Sequence, residues 1–487
     1  MSNTPNVLVL ISDQHSKHHL GCYGDELVRT PHLDRLASEG MRFDDAYTAS
    51  PVCTPSRMAF MSCRRPSATQ VWSNSHVLHS GTPTWAHALG AGGVDTALIG
   101  RMHFNGPDQR HGFAERPLGE YGAIHPGAPR QGAPLFSAVP QSTTGQSRVA
   151  VEIAGAGTTS YQALDEQVSE ATCNWLRQRA TGAQKPFAAV AGFLLPHCPF
   201  VAPKDLFDYY YDKVDIPEQP SAESQPPAVV NFRRNRGILE PLPEERVRVA
   251  RAAYYGMCEH LDRQIGHILD CLDDTGLAED TLVIYVSDHG EMAGEHGCWW
   301  KSNYYEGSVG VPMIARWPGE VAAGSASREI CNLMDIGVTL ADLADAPQLP
   351  QADGQSLAKT LRGESDPSRP GQTFSELGPA GGDAPSRMIR RDRWKLTKYG
   401  DDTPPMLFDL EADPGEWNDL GRDPTVAGVR EDLLRTLCQD WDPAFVAAQS
   451  ERLAADISLV SAWGRQYAEP TPDTLPIPEG VEDIDLR

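Results

Sequence analysis

The chain has 487 residues, 40% of them hydrophobic and 22% charged, and a formal net charge of −24. Such length exceeds what one compact core usually holds, so two domains are expected, and the composition is that of a soluble globular protein. The acidic balance argues against nucleic acid and anionic membrane surfaces as partners, and an anionic substrate would need a concentrated local cluster of cations.

No run of eighteen apolar residues exists, so no membrane span is expected. Met1–Pro5 is polar and leads straight into a strand, without the charged and apolar regions of a secretory signal. The ten cysteines are scattered with no CxxC and no zinc spacing. A reducing cytoplasm is the expected location.

Taken in order, Asn6–Ser12 is a continuous apolar run, the pattern of a strand buried on both faces, and it ends in Asp13-Gln14. Thr30-Pro31 reads as the cap and first residue of a helix running to Gly40 as its C′ residue. A strand near 41–47 leads into Pro51-Val52-Cys53-Thr54-Pro55-Ser56-Arg57. Pro55 suits a first helical turn, and Met58-Ala59-Phe60-Met61 continues it. Cys53 then sits at a positively biased helix N-terminus.

Residues 95–99 form a short strand followed by Arg101 and His103. Residues 119–160 read as a long surface excursion on the active-site rim. A helix is expected over 160–179, then a buried strand over 187–193 that ends near His197. Residues 215–243 are proline-rich and read as irregular. Residues 244–273 carry Val249, Ala253, Met257, Leu261, Ile265, Ile268 and Leu272 on one helical stripe. Thr281–Ser287 is a further buried strand, ending in Asp288-His289-Gly290-Glu291.

Buried strands alternating with helices mean an α/β fold with a large, mostly parallel sheet between helices. Near 365 the pattern changes to shorter, more polar strands and a helix over 426–440. The expected layout is a catalytic domain over 1–368, a C-terminal α+β subdomain with a small antiparallel sheet over 369–468, and an acidic, proline-rich tail over 469–487, read as disordered.

Four strands therefore end in chemically capable residues: Asp13-Gln14, Arg101 with His103, His197, and Asp288-His289. Ligands bind at the carboxyl ends of strands in open α/β sheets. Asp13, Gln14, Asp288 and His289 offer three oxygen-type ligands and one imidazole. Oxygen ligands favour Ca²⁺, Mg²⁺ or Mn²⁺, and the imidazole leans toward Mn²⁺.

Cys53-Thr54-Pro55-Ser56-Arg57 resembles the signature of the type I sulfatases, in which that cysteine is oxidised to formylglycine. Ile11-Ser12-Asp13-Gln14, Thr30–Asp34, Pro196–Phe200, Ser287–Glu291, Lys301, Tyr305-Glu306 and Leu407–Pro414 extend the likeness over nearly the whole chain. It resembles a sulfatase of the alkaline phosphatase-like superfamily. Arg101–Gln109, Trp299-Trp300-Lys301 and Met388–Arg391 are similar to the choline-sulfatase branch, and the Asp-Gln and Asp-His pairs are shared by that branch and the phosphonate monoester hydrolases.

The resemblance implies hydrolysis of a small-molecule sulfate ester by a hydrated aldehyde at position 53, with one divalent metal, Ca²⁺ first, on Asp13, Gln14, Asp288 and His289. It implies a formylglycine-generating maturation enzyme as a partner; a homo-oligomer is also expected. Arg57 and Arg101 are expected to hold developing negative charge, and His103 to act as base for diol collapse. His197 with Lys301 would bind sulfate and protonate the leaving oxygen.

Two readings stand beside this one: a phosphodiesterase or phosphonate monoester hydrolase on the same site, and a catalytically silent binding protein on the same scaffold. Arg101 replaces the family's usual lysine. Asn74 matches a substrate-binding position, but the stretch after Glu120 lacks the choline branch's Trp, and Ala380 stands where an acidic residue is expected. A sulfate monoester other than choline sulfate is therefore the expected substrate.

Overall fold

The computed structural model describes residues 4–120, 124–128, 145–182, 185–380, 383–400 and 402–470. Its centre is an eight-stranded sheet in the order Ser325–Ser327, Met41–Phe43, Met313–Arg316, Thr281–Ser287, Asn6–Ser12, Phe187–Gly192, Asp95–Gly100, Glu115–Gly119. Met313–Arg316 runs antiparallel to both neighbours; the other pairs are parallel.

Alternation along Asn6–Ser12 feeds two cores. Leu8 and Leu10 pack on one face with the helix Glu244–Asp274, whose seven-residue stripe is wholly buried there. Val7, Val9 and Ile11 pack on the other face with the helices Cys53–Ser62, Trp85–Ala91 and Leu333–Leu343. Each of these buried aliphatic side chains stabilises by roughly 1.5–3 kcal/mol relative to exposure.

Register positions the chemistry. Ser12 lies level with Ser287, so Asp13-Gln14 and Asp288-His289 leave the sheet side by side. Gly192 lies level with Gly100. A Cβ at Gly192 would fall 1.8 Å from the Arg101 carbonyl oxygen, so glycine is what lets the neighbouring strand end there.

Local details differ from the sequence reading. The helix Pro31–Ser38 draws its N-terminal hydrogen bonds from Asp262, which accepts from the N–H groups of His32 and Leu33, rather than from Thr30. Gly40 is no left-handed cap; its Cβ would lie 2.3 Å from the Ala315 carbonyl oxygen. Within the stretch read as irregular, Pro227–Asn235 is helical, burying Val229, Phe232 and Arg233. The rim excursion holds a short helix, Arg148–Glu152; its residues 121–123 and 129–144 lie outside the described residues.

The small sheet is antiparallel: Gln372–Leu377, Ser386–Arg391, Trp394–Tyr399 and Met406–Asp409. Ile389, Leu396 and Leu407 pack on Leu433 and Leu437 of the helix Ala427–Leu437. A 25-residue helix, Pro443–Tyr467, follows. The tail expected to be disordered falls almost wholly, from 471 on, outside the described residues. Buried ions fasten this sheet to the large one: Lys395 Nζ lies 2.8 Å from Glu306 Oε1 and 2.6 Å from Glu416 Oε1, and Lys17 reaches Glu306 Oε2 at 2.8 Å. All ten cysteines are free. Among the described residues, no helix is long and apolar enough to cross a membrane.

Candidate active site

Cys53 is the first residue of its helix and is fully buried. Val52 before it is extended, which swings the Cys53 side chain under the ends of the central strands. Cys53 Sγ lies 3.2 Å from His289 Nε2 and 3.5 Å from Asp13 Oδ1. The Thr54 N–H donates to Asn74 Oδ1 at 2.9 Å, so Asn74 caps the first turn of this helix.

Asp13 and Asp288 are fully buried, and each turns one oxygen away from Cys53 and one toward it. Arg57 Nε donates to Asp288 Oδ2 at 2.7 Å, and Arg101 Nε donates to Asp13 Oδ2 at 2.7 Å. The remaining oxygens lie 3.5 Å (Asp288 Oδ1) and 3.6 Å (Asp13 Oδ1) from His289 Nε2. His289 Nδ1 faces the Gly290 carbonyl at 3.1 Å and so carries the ring proton there, leaving a lone pair on Nε2. Two carboxylate oxygens and an imidazole lone pair thus converge, within 4.8 Å of one another and of Cys53 Sγ. Like-signed donors gathered in a dry site fit a divalent cation between them. Although burial alone would raise it, Asp13 is held well below the usual carboxylate range by Arg101, His197 and Arg57.

Arg57 stands elsewhere than the sequence reading put it. Arg57 also donates to the Ser12 and Arg101 carbonyls, each at 3.1 Å, and to Asp13 Oδ2 at 3.3 Å. It lies behind the carboxylates and positions them, rather than facing a substrate. Arg101 Nη1 donates to Glu120 Oε1 at 2.8 Å and Nη2 to His103 Nδ1 at 2.9 Å. A guanidinium has no acceptor, so His103 accepts at Nδ1 and carries its proton on Nε2. Burial and Arg101 both push the His103 pKa well below its ordinary value. In this tautomer Nε2 is a donor, where the sequence reading gave His103 the role of base for diol collapse.

Lys301 and His197 do meet. Lys301 Nζ lies 2.8 Å from His197 Nε2, and His197 Nδ1 lies 2.5 Å from the Cys198 carbonyl. Burial and Lys301 lower the His197 pKa. Burial opposes the charge on Lys301, but Cys53 and Asp13 more than offset it and raise the pKa. Lys301 also donates to Gln14 Oε1, while Gln14 Nε2 donates to Glu291. Sequence reasoning missed Glu120 and Glu291. Glu120 follows the strand Glu115–Gly119, which is polar and half exposed and so offers no apolar run whose end would mark it.

A model of the sulfatase family matches residues 5–346. The chain belongs to the sulfatase family. A second model, of the N-sulphoglucosamine sulphohydrolase C-terminal region, matches residues 294–441. This sulfatase is 33% identical to a choline-sulfatase of Rhizobium meliloti over 92% of its own length and 90% of that protein's. It is 28% identical to an arylsulfatase K of Danio rerio, covering 89% and 83%. Its fold matches a phosphonate monoester hydrolase of Agrobacterium radiobacter with a TM-score of 0.72 at 23% identity, covering 89% and 94% of the two chains. Membership makes it a hydrolase of sulfate esters, built on the alkaline phosphatase-like fold.

Proposed function

We propose that this sulfatase cleaves a sulfate monoester with Cys53 oxidised to formylglycine and one divalent cation, Ca²⁺ before Mn²⁺ or Mg²⁺, held by Asp13, Gln14, Asp288 and His289. The observation that supports this reading is the convergence of Cys53, Asp13, Asp288 and His289 in one buried cluster. When present, the hydrated aldehyde supplies a hydroxyl nucleophile and a second hydroxyl that allows sulfate to depart, and the cation supplies Lewis-acid polarisation.

The chain's own residues do the rest. Arg57 and Arg101 hold the outer oxygens of the ligand carboxylates and so fix the inner ones. His103 Nε2–H and Arg101 present donors to the sulfuryl oxygens. Lys301 holds a proton against His197 Nε2, the pair from which the departing alkoxide draws its proton. In the same reading the chain is matured by a formylglycine-generating enzyme, works in the cytoplasm as a homo-oligomer, and is laid out as a catalytic domain over 1–368 and a C-terminal subdomain over 369–468.

Peptide mass spectrometry of natively matured, active protein is expected to find the aldehyde at position 53, and Cys53→Ala to abolish p-nitrophenyl sulfate turnover with the fold retained. Full activity with an unmodified thiol would defeat the proposal.

A further inference from the structure

Beside Cys53 lies a cavity of about 220 Å³. Val52, Asn74 and Ser302, neighbours of the reacting centre in sequence or by hydrogen bond, form one end. Helix Pro227–Asn235, with Arg236 just beyond it, and the hairpin joining Gln372–Leu377 to Ser386–Arg391 form the walls. Val52 precedes Cys53 and Ser302 follows Lys301, so this cavity is where we place the alcohol portion of an ester whose sulfate occupies the Cys53 cluster, and the inference below rests on the sulfatase reading of that cluster.

The cavity holds both components of a quaternary-ammonium cage, aromatic faces and a carboxylate. The carboxylate is Asp383, three residues past the Ala380 at which the sequence reading looked. Asp383 and one of those faces, Phe232, are already occupied by a cation of the protein. The Arg236 guanidinium stacks 3.9 Å from the centre of the Phe232 ring, and its Nη1 lies 3.4 Å from Asp383 Oδ2. The other Asp383 oxygen accepts from Asn235 Nδ2 at 2.8 Å.

Arg236 itself is loosely held. Nε reaches Gln146 Oε1 at 3.3 Å and Nη1 reaches the Phe232 carbonyl at 3.3 Å, all long for a charged donor, and Nη2 has no partner among the described residues. Its side chain is only 11% exposed. Burial lowers its pKa, and Asp383 only partly restores it. Two other lining residues, Asn303 and Trp72, carry buried N–H donors without partners. Gln146 links Arg236 to the reacting end, donating from Nε2 to Ser302 Oγ at 2.9 Å, next to Lys301. Among the described residues, the buried side-chain polar atoms of this lining that lack a partner are donors.

We infer that the alcohol portion of the substrate carries a carboxylate, received by Arg236 in this cavity. A carboxylate completes the forked guanidinium bidentately, which Asp383 at 3.4 Å does not. A quaternary ammonium would meet the guanidinium where its cage should be.

The test compares kcat/KM of the formylglycine-bearing enzyme for 4-carboxyphenyl sulfate, 4-methylphenyl sulfate and choline sulfate, with Arg236→Gln alongside. The carboxylated ester is expected to exceed the methyl ester by at least tenfold, and Arg236→Gln to bring that ratio close to one. Preference for the neutral or cationic ester, or a ratio indifferent to Arg236→Gln, overturns the inference and leaves the sulfatase reading standing. Failure to turn over any of the three overturns both. Should the variant not fold, competitive inhibition of the wild-type enzyme reads the same preference. Benzoate is expected to inhibit at a concentration at least tenfold below that of tetramethylammonium, and the reverse order overturns the inference.

Discussion

Replacing Arg57 by methionine tests the idea that this arginine organises the two ligand carboxylates from behind. Its side chain is wholly buried and makes four hydrogen bonds, to Asp288, Asp13 and the carbonyls of Ser12 and Arg101. Asp13 keeps Arg101 in the variant, but Asp288 Oδ2 loses its donor, and the carboxylate is left with the Gln14 N–H on its other oxygen. Stranding one member of a buried ion pair costs about 3–5 kcal/mol. In chelator, urea unfolding of Arg57→Met should therefore fall short of wild type by about 3–5 kcal/mol, with the denaturant slope unchanged. Excess Ca²⁺ at a hundredfold its dissociation constant adds about 2.7 kcal/mol to any folded state that binds it. With Asp288 no longer held in place, the variant should bind Ca²⁺ about 10–100-fold more weakly, so the deficit should grow on adding the ion. A loss below about 1 kcal/mol in chelator, or a deficit that shrinks on adding Ca²⁺, would show that Arg57 does not perform this role.

Glu291 accepts from Gln14 Nε2 and from the N–H groups of Ala293 at 2.8 Å and Trp300 at 2.6 Å, so it sets which end of the Gln14 amide faces the site. Glu291→Gln should weaken Ca²⁺ binding by about 10–100-fold in calorimetric titration, and an unchanged affinity would refute that role. Asp165 accepts from the N–H groups of Leu194 and Leu195, at 2.8 and 2.9 Å, on the approach to His197, and burial pushes its carboxyl up to about 7. From about pH 4 to pH 7 the native protein thus keeps a proton that the unfolded chain has released. This group's contribution to stability falls as pH rises across that window. Asp165→Asn should remove the decline from a plot of melting temperature against pH, and equal slopes would argue against it.

The centre of the site was readable because it is written in strands buried on both faces, where a polar residue at the end stands out against an apolar run. Asp13, Arg101, His197 and Asp288 all announce themselves this way. Glu120 did not, because the edge strand before it is polar and half exposed, with no apolar run to end. The helix Pro443–Tyr467 was missed for a related reason: only Val446 and Gly464 are buried in it, so no stripe marks it. Proline hid Pro227–Asn235, where a Pro-Pro pair that reads as irregular chain instead opens a helix. Sequence shows that Arg57 and His103 are near the reacting centre but not on which side of the carboxylates an arginine lies, nor which ring nitrogen it meets. Those follow from hydrogen-bond partners far apart in the chain.

Lys395 makes the boundary near residue 368 one of address, not of autonomy. The small sheet carries this lysine, yet its ammonium is seated against Glu306, a residue of the catalytic segment. Chain ending at 368 would leave Glu306 with Lys17 as its one cation and the Tyr47 hydroxyl, strip Leu377 and Met388 from the apolar contacts of Tyr304 and Val309, and open the cavity on its hairpin side. Severed, the shorter piece would take with it the wall against which the alcohol is read. Cut versions of this protein should therefore lose folding and selectivity together, and chimaeras that exchange the small sheet will need a lysine in the same seat.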